Sequence, residues 1–143
     1  MKRIKGFTVI ELVVAVTIVC LLVAVAIASY QDHMTRKSRA QARKALVELA
    51  EWLQQQRTTS GTYLVKLPIT HAPADGDAEY HIGMVAVPVN STNPNVVFPG
   101  SSVDFYTLQA VPLSPDPCGI LLLDSSGRTG VTGASAQLAD CWK

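Results

Sequence analysis

Between Gly6 and Gly61 the chain contains neither proline nor glycine, and between Phe7 and Tyr30 it carries one charged residue, Glu11. Proline removes a helical donor and clashes with the preceding turn, and glycine is a poor helix former. Their absence leaves nothing to break a helix over residues 7–60. The near-absence of charge excludes a solvated surface for the first half of it. Cysteine is scarce, three in 143 residues, which excludes a disulfide-dense scaffold. Catalytic and metal-binding groupings are missing too. His33, His71 and His81 lack ligand spacing and lie beside no cysteine or glutamate in a known motif. Asp75, Asp77 and Glu79 alternate but without the glycine-spaced pattern of a calcium loop, and read as a solvated acidic loop. Gly127-x-x-Gly130-x-x-Gly133 lacks the strand-to-helix context of a phosphate loop and reads as turns, and Asn90-Ser91-Thr92 is too short a glycosylation pattern to stand alone. The chain is not expected to be an enzyme, and no cofactor or metal is expected.

What is present is an apolar run of 24 residues, Phe7–Tyr30, preceded by the basic leader Met1–Gly6. At about 1.5 Å per residue such a helix spans roughly 36 Å, enough to cross a bilayer with some tilt. Glu11 is the anomaly, because a carboxylate within a spanning segment costs on the order of 2.5–3.5 kcal/mol, less near the headgroups. One reading has Glu11 snorkelling at the interface. The other gives it a cationic partner, for which the nearest source is the amine of Phe7 if the chain is cut after Gly6. Phe7 and Glu11 are four apart, so they share one helix face.

The octet Lys5-Gly6-Phe7-Thr8-Val9-Ile10-Glu11-Leu12 resembles the class III signal of type IV prepilins. Tyr30-Gln31-Asp32, Gly61-Thr62-Tyr63 and the terminal pair Cys118 and Cys141 extend the resemblance, most closely to the type IVa pilins of the pilin-E group. It implies that a prepilin peptidase cuts Gly6–Phe7 and methylates the Phe7 amine. It implies further that subunits leave the inner membrane through an assembly platform and pack their apolar helices into an extracellular filament with other pilin subunits. Glu11 is then expected to pair with the Phe7 amine of a neighbour. The expected roles of such a filament are adhesion, twitching motility or DNA uptake. The chain departs from many relatives in having Ala28 where they carry proline, so a straighter helix is expected there. An ordinary signal peptide fits less well, because the apolar run is longer than about 7–15 residues and only Ala24–Ala28 offers a small-residue site.

Net charge is +1, and loss of Lys2, Arg3 and Lys5 with the leader leaves nine basic and eleven acidic residues. Residues 31–57 hold six basic and three acidic groups, and residues 58–143 hold three and seven. A basic neck on an acidic head is not in itself a nucleic-acid footprint, so DNA is a partner allowed by the resemblance but not indicated by charge. Nor do charges settle topology, since Arg36, Lys37, Arg39, Arg43 and Lys44 flank the far side.

Past Tyr30 the pattern turns amphipathic. Ala42, Ala45, Leu46, Leu49, Trp52 and Leu53 recur at spacings of three and four, predicting one helix from Thr8 to Arg57, stopped by Thr58-Thr59-Ser60-Gly61. Residues 62–78 read as a loop. Tyr80–Val89, with Tyr80, Ile82, Met84 and Ala86 on one face, reads as a strand. Residues 90–102 read as turns, and Asp104–Val111 as a strand broken off by Pro112. Gly119–Asp124 reads as a buried strand, and Ser125-Ser126-Gly127 as a turn. The expected fold is α+β: a long helix, apolar then amphipathic, packed on three or four antiparallel strands around a single core. The expected segments are leader 1–6, membrane or filament-core helix 7–30, amphipathic half 31–60 and head 61–143. Cys20 falls in the anchor as a small packing residue. Cys118 and Cys141 remain as an even pair in the exported part. Bridged, they close a loop worth roughly 3 kcal/mol; the alternative is two free buried thiols.

Three functions fit: a major or minor pilin, a type II secretion pseudopilin, or a single-span binding module that never assembles. The terminal cysteine pair favours the first, and Gly6-Phe7 with Glu11 disfavours the last. The mature chain is expected to begin at a methylated Phe7. Intact-mass measurement of protein from membranes or sheared filaments checks this, and an N-terminus at Met1 or after Ala28 refutes it.

Overall fold

The computed structural model describes residues 7–143, so Gly6 and the basic leader lie outside the described residues. The chain divides into two units, Met1–Thr35 and Arg36–Lys143. One helix, α1 (Val9–Ser60), supplies most of the first unit and the start of the second. In the first unit every side chain described from Phe7 to Tyr30 is exposed in the isolated chain. This stretch reaches a mean hydropathy of 3.0 and is long and apolar enough to cross a membrane. The helix runs unbroken through Ala28.

α1 also continues three residues beyond the expected stop. The hydroxyls of Thr58, Thr59 and Ser60 donate to the carbonyls of Gln55 (2.7 and 3.3 Å) and Gln56 (2.9 Å), satisfying acceptors that a helix end leaves open. Gly61, at φ +76°, closes the turn, with its N–H 2.9 Å from the Arg57 carbonyl.

In the second unit α1 buries Ala42, Ala45, Leu46, Leu49 and Leu53. These meet a five-stranded antiparallel sheet of order β1-β2-β5-β6-β7, larger than expected. Its strands are β1 (His71–Ala72), β2 (Tyr80–Met84), β5 (Thr107–Pro112), β6 (Leu121–Asp124) and β7 (Thr129–Val131). Tyr80, Ile82, Tyr106, Leu108, Ala110, Leu121 and Leu123 are buried in the same core as the helix stripe. Tyr106 also meets Tyr63 edge to face at 4.9 Å.

Several boundaries differ from expectation for identifiable reasons. The first long strand ends at Met84, Ala86 is exposed, and Val85 is buried instead. From there the chain leaves the sheet for a two-stranded hairpin, β3 (Val89–Asn90) with β4 (Val97–Phe98), inside the segment read as turns. Pro112 closes β5 opposite Tyr80 rather than breaking it off one residue earlier; a strand end tolerates the missing N–H. β1 forms inside the expected loop by pairing His71 with His81. The hairpin supplies a second small core of Val85, Phe98 and Leu122, so β6 is covered on both faces and the single-core expectation fails.

Thr129-Gly130-Val131, expected as turns, is edge strand β7. A Cβ on Gly130 would stand 2.6 Å from the Phe98 ring and 2.7 Å from Ser91 Oγ, so a side chain is excluded there. Gly130→Ala should therefore cost about 1–3 kcal/mol by overpacking, and Leu49→Ala about 2–5 kcal/mol by leaving a cavity. Ala in place of the exposed Leu64 should be nearly neutral. Urea unfolding midpoints check the three, and equal midpoints would refute this assignment of the core.

Candidate functional site

At the N-terminus the sequence Thr8-x-x-Glu11 forms a capping box that the sequence reading passed over, although Ser/Thr-x-x-Glu before an apolar run is its signature. Thr8 precedes the first helical residue. Its N–H and Oγ1 stand 3.3 and 3.1 Å from Glu11 Oε2, and the Glu11 N–H points back to Thr8 Oγ1 at 3.4 Å. Two donors at the helix start are satisfied by one carboxylate. Phe7 lies before the cap and outside the helix, so the expected sharing of one helical face by Phe7 and Glu11 does not hold in this chain. Phe7 is 81% exposed, leaving the segment open to a partner.

The head is held by a network no motif announced. The side chain of Asp116 is 2% exposed and accepts from Arg39 of α1 at 2.6 and 3.1 Å, from the Tyr80 hydroxyl of β2, and from the Cys118 N–H at 2.8 Å. Burial alone would raise the Asp116 carboxyl, but the donors from Arg39, Tyr80 and Cys118 outweigh it and hold it below the usual carboxylate range. Burial and the hydrogen bond to Asp116 push the Tyr80 hydroxyl well up. Burial would likewise lower Arg39, and Asp116 overcomes it and raises the guanidinium. At the β6–β7 turn Asp124 is buried in the same manner and depressed by bonds from Ser126 and Arg128.

Beside this network lies a groove of about 530 Å³ lined by Arg36, Arg39, Arg43, Asp140 and Lys143. α1 contributes the three arginines. The short C-terminal helix α2 (Leu138–Cys141), followed by Trp142 and Lys143, contributes the other wall. α2 is fixed by the bridge from Cys141 to Cys118, whose Cα atoms are 5.9 Å apart, and by the Trp142 indole N–H donating to the Gly130 carbonyl at 3.3 Å. Burial and the nearby Arg39 charge hold Arg43 below the usual arginine range. Cys20 is free and exposed in the isolated chain.

Other candidates separate. Asp75 and Asp77 are exposed, and among the described residues no group of three His, Cys, Asp or Glu stands close enough to hold a metal ion. In Asn90-Ser91-Thr92, Ser91 is buried and the Thr92 hydroxyl lies 2.9 Å from the carbonyls of Val131 and Gly133, so this segment serves to hold the hairpin on β7.

Two family models match the chain. One, described as the type IV minor pilin ComP, DNA uptake sequence receptor, matches residues 28–121. The other, the prokaryotic N-terminal methylation motif, matches residues 1–27. Among solved structures the non-core minor pilin PilV of Neisseria meningitidis is similar, with 17% identity and a TM-score of 0.48 over 74% of this chain and 94% of that one. The likeness to PilV is distant, and no assignment rests on it.

Two outcomes follow from the head network. Asp116 and Asp124 titrate below the unfolded carboxylate value, so their contribution is complete above about pH 4 and is lost as pH falls through the depressed folded values. The melting temperature should be level from neutral to about pH 5 and fall beneath about pH 4. Asp116→Asn should cost about 3–5 kcal/mol by leaving Arg39 buried without its anion, and should flatten that acid limb. Cys141→Ser should cost roughly 2–4 kcal/mol. Non-reducing peptide maps and denaturation curves check both variants, and an unlinked Cys141 peptide in the exported protein would overturn the bridge.

Proposed function

Since this chain belongs to the family of the type IV minor pilin ComP, DNA uptake sequence receptor, we propose that it is a minor subunit of a type IV pilus whose task is to take hold of DNA for uptake. The observation that carries the reading is the match over residues 28–121, which covers more than half of the chain and most of the head. As a pilin it is anchored in the inner membrane by its apolar helix before assembly and resides in the extracellular pilus afterwards. It assembles with other pilin subunits and is a substrate of prepilin peptidase.

The finer assignments follow the same reading. Cleavage falls between Gly6 and Phe7, the new Phe7 amine is methylated, residues 7–30 form the filament-core helix, residues 31–60 the amphipathic half, and residues 61–143 the head. Glu11 takes the Phe7 amine of a neighbouring subunit as its partner in a low-dielectric core, where attraction exceeds that in water. An uncovered apolar helix supports this, because side chains of 50–81% exposure from Phe7 to Ile27 need lipid or neighbouring helices around them. The family is structural, and no residue here is assigned a catalytic role. The N-terminal motif is common to pilin and pseudopilin, and no observation favours the pseudopilin or the non-assembling module over the pilin.

Deletion of this chain should abolish or strongly reduce DNA uptake while leaving pilus number near wild type; equal loss of both would make it a building subunit instead. Glu11→Val should spare membrane residence and cleavage but lower the subunit's own abundance in sheared pili. Immunoblotting of membrane and pilus fractions reads both, and wild-type incorporation of the variant would remove the assembly role of Glu11.

A further inference from the structure

The cations of the second unit are unequally engaged. Arg39, Arg57 and Arg128 each meet a carboxylate, Asp116, Asp104 and Asp124, at 2.6, 3.1 and 2.7 Å. Lys44 stands 3.6 Å from Glu48, and Lys143 stands 3.1 Å from Asp140. Arg36 and Arg43 line the groove between α1 and the C-terminal segment and make no ion pair among the described residues. The Nε of Arg43 is buried without a hydrogen-bond partner. A buried donor without a protein acceptor is uncommon in folded proteins, and this one is left open to an oxygen from outside the chain. Arg39, one turn before Arg43, cannot relieve it, because a guanidinium carries donors and no acceptor, and the Asp116 carboxylate is taken up by Arg39.

We propose that this groove, lined by Arg36, Arg43 and Lys143, is the seat of the DNA phosphodiester backbone; the inference rests on the DNA-binding reading above. An oxyanion is the ligand these donors fit. Guanidinium groups bind phosphate oxygens through paired N–H donors, and an ammonium serves as a point charge. The groove, at about 530 Å³, has room for a run of backbone rather than for a single ion. Lys143 is released readily, since its side chain and that of Asp140 are 75% and 69% exposed and such pairs are weak in water. The disulfide gives the groove its second wall by holding α2 and Lys143 in place. Phosphate contacts set position on the duplex and carry no sequence information, so base reading lies elsewhere on the head.

The test uses the mature full-length chain in neutral detergent and short fluorescein-labelled duplexes of differing sequence, with affinity followed against salt by anisotropy. Each of Arg43→Gln, Arg36→Gln and Lys143→Gln should reduce the slope of log K against log salt by about 0.9. Each should weaken all duplexes by the same factor, leaving the ratio between strong and weak duplexes unchanged. Arg57→Gln, whose guanidinium is committed to Val103 and Asp104, should leave the slope as it is. Lys143→Gln is the variant least able to disturb folding. Unchanged slopes in all three groove variants, with salt-dependent binding by the wild type, overturn the groove while sparing the DNA reading. Collapse of the sequence ratio also overturns it, since the groove would then read bases. Loss of binding to phosphatidylglycerol vesicles with unchanged DNA slopes reassigns the groove to the membrane. A wild-type chain that binds no duplex at any salt removes the DNA reading and the groove with it.

Discussion

One carboxylate organises the head. Asp116 sits where the amphipathic stretch of α1, strand β2 and the entrance to the disulfide loop converge, and it accepts a donor from each. A buried charge of this kind contributes specificity more than gross stability, because removing it from water consumes much of what its partners return. A helix slipped along the sheet by one turn towards its C-terminal end would bring Thr35 to the position of Arg39, leaving Asp116 a buried charge without its guanidinium. The apolar stripe alone tolerates such slippage, since alanine and leucine recur along it at helical spacing. The charge network therefore fixes the register that the greasy contacts leave loose, and it leaves a second arginine with no carboxylate of its own.

The sheet solves a different problem. Its first long strand and the strand that follows it bury one face on α1, and the β3–β4 hairpin with Phe98 covers the other behind Leu122. This doubly covered arrangement accounts for the fully apolar Leu121-Leu122-Leu123, which alternation on a half-exposed sheet would not produce. It also accounts for Gly130, whose missing side chain makes room for the Phe98 ring. Ser91 and Thr92 then bind the hairpin to the backbone of β7.

How far residues alone disclosed this depended on range. The helix, its apolar and amphipathic halves, its stripe and the buried β6 were readable because each is a periodicity within one segment. The α+β class and the terminal cysteine pair were readable as well. What escaped notice was set by partners distant in the chain. β1 and β7 are too short to show a pattern and exist because His81 and Leu122 lie opposite them. The Arg39–Asp116 pair joins residues 77 apart, and nothing in either neighbourhood marks it. The Thr8–Glu11 box is the exception, a local pattern written plainly and overshadowed by the question of why a carboxylate sits among apolar neighbours.

That box changes how the N-terminal carboxylate is to be understood. Glu11 is not an empty acceptor waiting in hydrocarbon, for it already closes the helix start on Thr8. Both Thr8 donors meet the same oxygen, Oε2, so a cation approaching that oxygen would exchange one set of donors for another. The net free energy is the difference between the two sets, smaller than the attraction taken by itself. Small differences of this kind make an association at that oxygen readily reversible.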